Sequence, residues 1–495
     1  STLSSSSAAS DVYKRQIFML TLKTTGLQAQ TQITLEKVVN EWSFYSPSAE
    51  KIRLTYDNIS MTHKKYLKGF LPLITININP VSFNHSLRLM QNSTDGSYSY
   101  VNDYSNTSNT GLTIQQKIGI TGGVFSVSSN LNVLTEFSTR RNSFNTIPLS
   151  LNYSQQLIGG YYTYKKQKKI EQIKTLNAKR QYCSDMAEIQ IKALDAFLNL
   201  FLADITRKLA LRNIAISDTL LIVSRALLDN GHFTEFEYRQ VELQDNNNHY
   251  VYETAQKDYQ QSLRQLWALL GKKEIIDNVE ITMPNFSLPL AIDFEIATRY
   301  AKKNNPFALL QEAKQLEAKQ TLFNAKLSNR FNANINVSYG LNQYAEHFSD
   351  AYRNPNYSQG VMINFQIPVF QWGINRNKMH IAKNNYRNAM LELEEAETSY
   401  SNDLFDKVSS YNHGVKLYFL SKRSYQLMQE QYEILSAKFR YGKVSIYEIT
   451  STQRDLYEAL KKYYSSMQTV WNMFFMLRKI TLYDFILQCE LIEVL

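Results

Sequence analysis

Glu237 and Glu448 occupy the same place in one short pattern written twice: Gly231, Thr234 and Glu237 recur, with identical spacing, as Gly442, Ser445 and Glu448. Asn230-Gly231 and Tyr441-Gly442 supply the left-handed residue that ends a helix. Thr234-x-x-Glu237 and Ser445-x-x-Glu448 then read as capping boxes, in which the hydroxyl takes the third helical amide while the Glu reaches back to the cap amide. Each Glu is either a purely local cap or part of an exposed tip that meets a partner. No other group of residues assembles a reactive centre. The seven His are scattered, without a His-x-x-x-His pair, and Cys183 and Cys489 give neither a disulfide framework nor a metal-site spacing. Cys183 reads as a small apolar filler of a long helix. Gly122-Gly123 lacks the Lys-Ser/Thr and following helix of a phosphate loop. The chain is therefore expected to be no enzyme and to use no cofactor.

The elements that carry these tips are long. Sixteen Gly and nine Pro in 495 residues allow few chain reversals. From about Tyr161 to Leu228 neither occurs, which predicts one helix of roughly 100 Å at about 1.5 Å per residue. Leu194, Leu198, Phe201 and Ile205 follow a 4-3-4 spacing, as do Ile216, Leu220, Val223 and Leu227. The two sets fall in different heptad frames, the mark of a stutter in a coiled coil. A second such helix runs from Ile374 to Arg440, interrupted only by Gly414. Rods this long exceed a bilayer of about 30 Å threefold and must project into water. Lys165, Lys166, Lys168 and Lys169 open the first rod, where cations oppose the helix dipole. They read either as a solvated face or as a set lying near anionic lipid head groups.

No run of about 20 apolar residues exists, which excludes a helical span but not a membrane barrel, whose alternating strands barely register in hydropathy. Alternation is present in Leu73–Ile78, Val124–Ser128, Leu149–Tyr153, Phe331–Tyr339 and Val361–Ile367. The Asn/Ser/Tyr/Gly-rich stretches 91–111 and 340–358 read as external loops. Their Tyr98, Tyr100, Tyr104, Tyr344, Tyr352 and Tyr357 form either an interfacial aromatic belt or ordinary loop positions. Two to six strands close no barrel in lipid, because an open edge leaves backbone groups unpaired at several kcal/mol each; a barrel must be shared among subunits. The net charge of +10 comes without a compact basic motif interleaved with aromatics, so nucleic acid is not an expected partner.

The order of signals recurs. Leu71–Ile78 answers to Arg330–Val337, and each copy reads as helix, strands, a very long helix, a tight turn and another long helix. The expected organisation is a foreign leader plus signal-peptide remnant over 1–31, a first repeat over 32–270, a linker over 271–294 with Pro284 and Pro289, a second repeat over 295–485, and a tail over 486–495. Within the leader, Ile17–Leu22 and Leu27-Gln-Ala29-Gln30 resemble a signal h-region and cleavage site, which implies export; no Cys follows to carry a lipid anchor. The first copy holds extra residues before its long helix. They include Gly111–Val127, a hairpin turning at Thr121-Gly122-Gly123, whose membership of a barrel the sequence leaves open.

Ser46-Pro47 and Asn305-Pro306 opening short helices, Ile367-Pro-Val-Phe-Gln-Trp-Gly373 leading into a long helix, and Lys438–Glu448 at a tip, twice in the same order, resemble the TolC-type outer-membrane factor family over nearly all of 32–485. The resemblance implies a mixed α and β fold: a trimeric, 12-stranded outer-membrane β-barrel continued by a long antiparallel coiled-coil α-helical tunnel in the periplasm. It implies a homotrimer in outer-membrane lipid, docked through a periplasmic adaptor protein to an inner-membrane RND or ABC transporter, passing small molecules or protein outward. By the same likeness Glu237, Phe439 and Glu448 fall at the tunnel constriction, and Gly231, Thr234, Gly442, Lys443 and Ser445 at adaptor-docking tips. Val444 and Ser451 replace a basic and an acidic residue of that pattern, so an inter-helix ion-pair gate is not implied. The alternative reading is a soluble, extended coiled-coil scaffold or adaptor.

Overall fold

The computed structural model describes residues 31–91, 96–272, 279–282, 288–328, 332–367, 369–440 and 444–494. The leader up to Gln30, Pro284, Gly442 and Lys443 lie outside the described residues. In chain order the helices are α1 (Pro47–Lys68), α2 (Gly160–Asp229), α3 (Glu235–Leu269), α4 (Phe294–Asn304), α5 (Pro306–Ser328), α6 (Ile374–Arg440), α7 (Ile446–Thr481) and the short α8 (Leu491–Val494). The 70 residues of α2 and 67 of α6 match the two long runs read from the sequence. Gly414 is absorbed without a break, at the cost of about 1 kcal/mol that a helical Gly carries.

The chain divides into two units. One comprises 1–47, 190–287 and 418–472. Here β1 (Thr31–Thr34) pairs in parallel with β7 (Val279–Thr282), and Leu194, Leu198, Leu263, Leu266, Trp267 and Val470 are buried between helices. Polar rungs set the register: Gln468 Nε2 donates to Asn199 Oδ1 (2.7 Å), Gln453 Nε2 to Asn213 Oδ1 (2.8 Å), and the Ser421 and Ser466 hydroxyls meet at 2.6 Å. The second heptad set is not the buried seam of this unit. Ile216, Leu220 and Leu227 are half-buried and Val223 is exposed, whereas Ser217 and Ser224 are buried. Small hydroxyl residues let α2 and α3 approach, and Ser217 Oγ donates to Asp245 Oδ1 at 2.6 Å. α3 ends at Gly271 (φ +70), whose missing Cβ leaves room for the Pro47 ring, and Lys272 Nζ lies 3.9 Å from the Trp42 ring centroid. Burial lowers that Lys pKa.

The other unit comprises 48–189, 288–417 and 473–495. Asp293 caps α4 by accepting the Glu295 amide at 2.6 Å. Asn305 opens α5 in the same way (Phe307 N to Oδ1, 2.8 Å), while its Nδ2 donates to the Ile480 carbonyl at 2.6 Å. Pro306 follows at the first helical position, where its missing N–H costs nothing. Ile170 and Ile173 of α2 pack on Ala313 and Leu316 of α5, flanked by Lys169–Glu312 (2.9 Å) and Lys174–Glu317 (2.7 Å). Lys169 therefore belongs to an inter-helix pair.

This unit contains the sheet, in the order β2 (Leu73–Asn79), β4 (Tyr98–Ile118), β5 (Gly123–Glu136), β6 (Arg141–Gln156), β8 (Asn332–Ala345), β9 (Asn356–Gln366), with β3 (Phe83–Gln91) also on β4. All pairings are antiparallel. β2 covers Asn109–Gln115 of β4 and β3 covers Tyr98–Asn106, so the two follow one another along the same edge and the sheet is six strands across. At the break, Ser108 Oγ donates to the Pro80 carbonyl at 2.6 Å.

Two expectations are corrected. Most of 91–111 and the ends of 340–358 are strand, not loop: β4 is one strand of 21 residues. Its main chain pairs with β3 over 98–106, with β2 over 109–115 and with β5 over 105–118, so ladder bonds rather than a core hold its polar residues. The extra hairpin lies inside the same sheet, and six strands across differs from the four per chain that a 12-stranded trimer implies. The turn falls at 119–122, with Gly122 at φ +76.

Candidate functional site

Register sorts the sheet's side chains onto two chemically different faces. On one lie Ile74, Ile76 and Ile78 of β2, Leu112 and Ile114 of β4, Phe125, Val127, Leu131 and Val133 of β5, Leu149, Leu151 and Tyr153 of β6, Ile335, Val337 and Tyr339 of β8, and Val361, Ile363 and Phe365 of β9. Many stand open: Ile76 is 66% exposed, Val361 70% and Ile363 51%. Opposite them lie Thr75, Asn77, Asn109, Thr113, Gln115, Ser126, Ser128, Asn130, Asn132, Asn152, Ser154, Asn334, Asn336, Ser338 and Asn364. These bond both across and along the strands: Asn109 Nδ2 donates to Asn132 Oδ1 of the neighbouring strand, and Asn152 Nδ2 to Ser150 Oγ of its own at 3.0 Å.

A sheet apolar on one face and amide- and hydroxyl-rich on the other suits a wall between hydrocarbon and water. An exposed β-branched face of this extent is costly in water, at about 25 cal/mol per Å2 of apolar surface. β8 has 14 residues and β9 has 11, enough for the roughly 9–11 that a tilted membrane strand needs.

Aromatic rings gather at one end of this wall. Tyr104 stacks among Phe83 (5.5 Å), His85 (5.1 Å) and Phe137 (4.9 Å), and Phe348 touches Phe144 (5.7 Å) and Tyr352 (6.3 Å). Tyr98, Tyr100, Tyr344 and Tyr357 are exposed. At the helix end of the strands, Phe370 and Trp372 pair edge-on at 4.6 Å and stand 70% and 85% exposed. Trp372 (φ 49) and Gly373 (φ 83) turn the chain into α6. Lys165 and Lys166 lie over the Tyr161 and Tyr162 rings (6.0 and 5.4 Å).

The first tip is built as its residue types require. α2 closes with Gly231 N donating to the Leu228 carbonyl (3.0 Å) and His232 N to that of Leu227 (2.8 Å), Gly231 taking φ +74. Glu237 N donates to Thr234 Oγ1 (3.3 Å), and Glu237 Oε2 accepts both the Thr234 amide and hydroxyl (2.8 Å each). The amide and then the hydroxyl of Thr234 hold the Glu237 carboxyl below its ordinary pKa. At the second tip Glu448 Oε2 accepts the Ser445 amide (3.0 Å) and hydroxyl (3.1 Å), and Glu448 N donates to Ser445 Oγ (3.2 Å). Phe439 falls near the end of α6, Val444 is half-buried, and Ser451 Oγ donates to the Glu448 carbonyl (3.0 Å). Both Glu side chains are thus engaged as caps. The helical pair also brings Asp218, Asp245 and His249 together, one ligand atom of each within 4.8 Å of the others. Asp245 and His249 stand one helical turn apart in the sequence, and Asp218 joins them only through the register of α2 against α3.

Residues 299–468 match the family model described as outer membrane efflux protein. The resemblance read from the sequence is borne out, and the fold agrees with it. A membrane protein from Pseudomonas aeruginosa superposes with a TM-score of 0.66 at 12% identity, covering 91% of each chain. The Campylobacter jejuni CmeC outer membrane channel gives 0.64 at 13% identity, over 90% of this chain and 85% of that one. The open state of the Neisseria gonorrhoeae MtrE outer membrane channel gives 0.61 at 13%, over 93% and 95%. A search of curated protein sequences finds no match. No described helix is long and apolar enough to cross a membrane.

Proposed function

We propose that this chain is one subunit of an outer-membrane exit duct. Three copies join their sheets into a closed barrel, and the long helices continue it as a tunnel in the periplasm. The observation that carries this reading is the two-faced sheet, with an exposed aliphatic face and a face of Asn, Ser and Thr. β2 with β3 and β9 are its edge strands. In lipid an open edge leaves backbone groups unsatisfied at several kcal/mol each, whereas a partner strand satisfies them.

The duct serves an efflux pump or a type I secretion system and does no chemistry on its cargo. It receives small molecules or protein from an RND or ABC transporter through a periplasmic adaptor. In this reading 32–270 and 295–485 are two repeats of one unit; α2 and α3 (70 and 35 residues) parallel α6 and α7 (67 and 36). Gly231, Thr234, Gly442, Lys443 and Ser445 form the adaptor-docking tips, while Glu237, Phe439 and Glu448 line a constriction. Detergent-dependent extraction from the outer membrane and a mass of three chains in detergent are the expected results. A stable inserted monomer, or release by salt alone, overturns the proposal.

A further inference from the structure

We infer that the hairpin β4–β5 is part of the membrane wall, so that three chains close a barrel of eighteen strands. The inference deepens the reading of the chain as a trimeric membrane duct and rests on it. β4 and β5 are not a flap beside the sheet. They lie within its hydrogen-bonded path, β4 between β2 and β5, and β5 between β4 and β6. Strands β2 and β6, which would be neighbours without the hairpin, are held apart along the whole of β2.

The hairpin also carries the wall's two faces across this sector, with Ser129 beside Leu112 and Thr110 beside Ile78 as polar positions on the aliphatic side. Ile74 and Ile76 of β2 align with Ile114 and Leu112 of β4. Ile114 aligns with Val127 of β5, and Val127 with Leu151 of β6. On the other face Thr75, Thr113, Ser128 and Ser150 form one continuous row. A hairpin lying on a barrel mouth in water would have no reason to repeat the aliphatic rows of its neighbours at the same levels. The tight turn at 119–122 fixes the hairpin to the start of α2. Tyr153 Oη donates to Thr121 Oγ1 (3.1 Å), and Gly122 meets the Gly160 backbone.

Six strands across from each of three chains give eighteen. At about 4.8 Å between strands and a tilt of about 40°, the backbone diameter becomes about 36 Å, against about 24 Å for twelve strands. Over the span facing β2, the added sector turns Asn109, Gly111, Thr113 and Gln115 of β4 and Ser126, Ser128, Asn130 and Asn132 of β5 to the lumen, with Lys117, Val124, Leu134 and Glu136 on the same face beyond it. Over that span the duct is widened with an uncharged, hydrogen-bonding surface.

The test uses the full chain in vesicles containing brominated lipid, on a background of Cys183→Ala and Cys489→Ser. A fluorophore on Leu112→Cys, Ile114→Cys or Val127→Cys is expected to be quenched by the lipid. Thr113→Cys, Ser128→Cys and Asn130→Cys are expected to escape quenching and to react with a sulfonated, membrane-impermeant maleimide. Ile76→Cys and Ile363→Cys report on β2 and β9 in parallel. If those two are quenched while the β4 and β5 positions are unquenched on both faces, the hairpin lies outside the wall and the inference is overturned. If Ile76→Cys and Ile363→Cys are themselves unquenched, the membrane duct reading fails first.

Discussion

Gly122 and Gly160 meet backbone to backbone: a Cβ built on Gly122 would lie 2.8 Å from the Gly160 carbonyl carbon, and Gly122 itself holds φ +76. The contact ties the β4–β5 turn to the first turn of α2, where no side chain can swing aside. Gly122→Val therefore combines left-handed strain with a backbone clash and is expected to cost about 2–4 kcal/mol. The readout is thermal stability of the detergent-extracted protein, with Gly96→Val as control. Gly96 also has positive φ, but its nearest neighbour is the end of the Gln91 side chain at 3.8 Å. Equal stability of the two variants would mean that the turn does not bear on the helix.

The long helices were legible because Gly and Pro are absent from 161–228 and sparse in 374–440, and the capping boxes because three-residue spacing fixes both partners. β4 was not. Its Asn, Ser and Thr content is that of a loop in water, and only in a sheet with one polar face does that content become compatible with a strand. The signal was nonetheless present: Tyr98, Tyr100, Tyr104, Leu112, Ile114 and Ile118 all fall on one parity. The half-covered Ile216, Leu220 and Leu227 and the exposed Val223 show the opposite limit. A heptad spacing marks a face, but the partner that covers it is set by helix register, and here Ser217 and Ser224 pack inside.

The first tip should depend on acidity. Glu237 has a folded pKa below its unfolded value because Thr234 donates to the ionised carboxylate. The cap's contribution is therefore present above the unfolded pKa of about 4.3 and is lost as pH falls through the folded one. Amide hydrogen exchange at 234–237, corrected for intrinsic rates, is expected to lose protection as the pH falls through the folded pKa, and Glu237→Gln to remove that dependence. Protection that falls equally in Glu237→Gln and in the unsubstituted chain would rule out the ionised cap.

Gly231 offers a clean test of tip shape. At φ +74 it has no atom within 4 Å of a built Cβ, so a side chain meets only backbone strain. Gly231→Val is expected to cost about 1–2 kcal/mol at the α2 terminus and to leave trimer assembly intact. If the tip docks an adaptor, export and crosslinking to that adaptor fall together. Unchanged export by a correctly assembled variant would remove the tip from the docking surface.

Glu448 separates capping from constriction. Its Oε2 takes both the Ser445 amide and hydroxyl, so Glu448→Gln keeps an acceptor oxygen for the cap while deleting the charge. Three such charges in one narrow passage would bind multivalent cations, whereas the sheet's lumen face, built mainly from Asn, Ser and Thr, would bind them weakly. In single-channel recordings, block by a trivalent cation is expected to weaken in Glu448→Gln by about tenfold, the effect of roughly 1.4 kcal/mol of lost attraction. Ser445→Ala supplies the control, since it loosens the cap without touching the charge. If Glu448→Gln leaves block unchanged, or if Ser445→Ala weakens it equally, the carboxylate acts only through the helix terminus and the constriction must be sought among other residues.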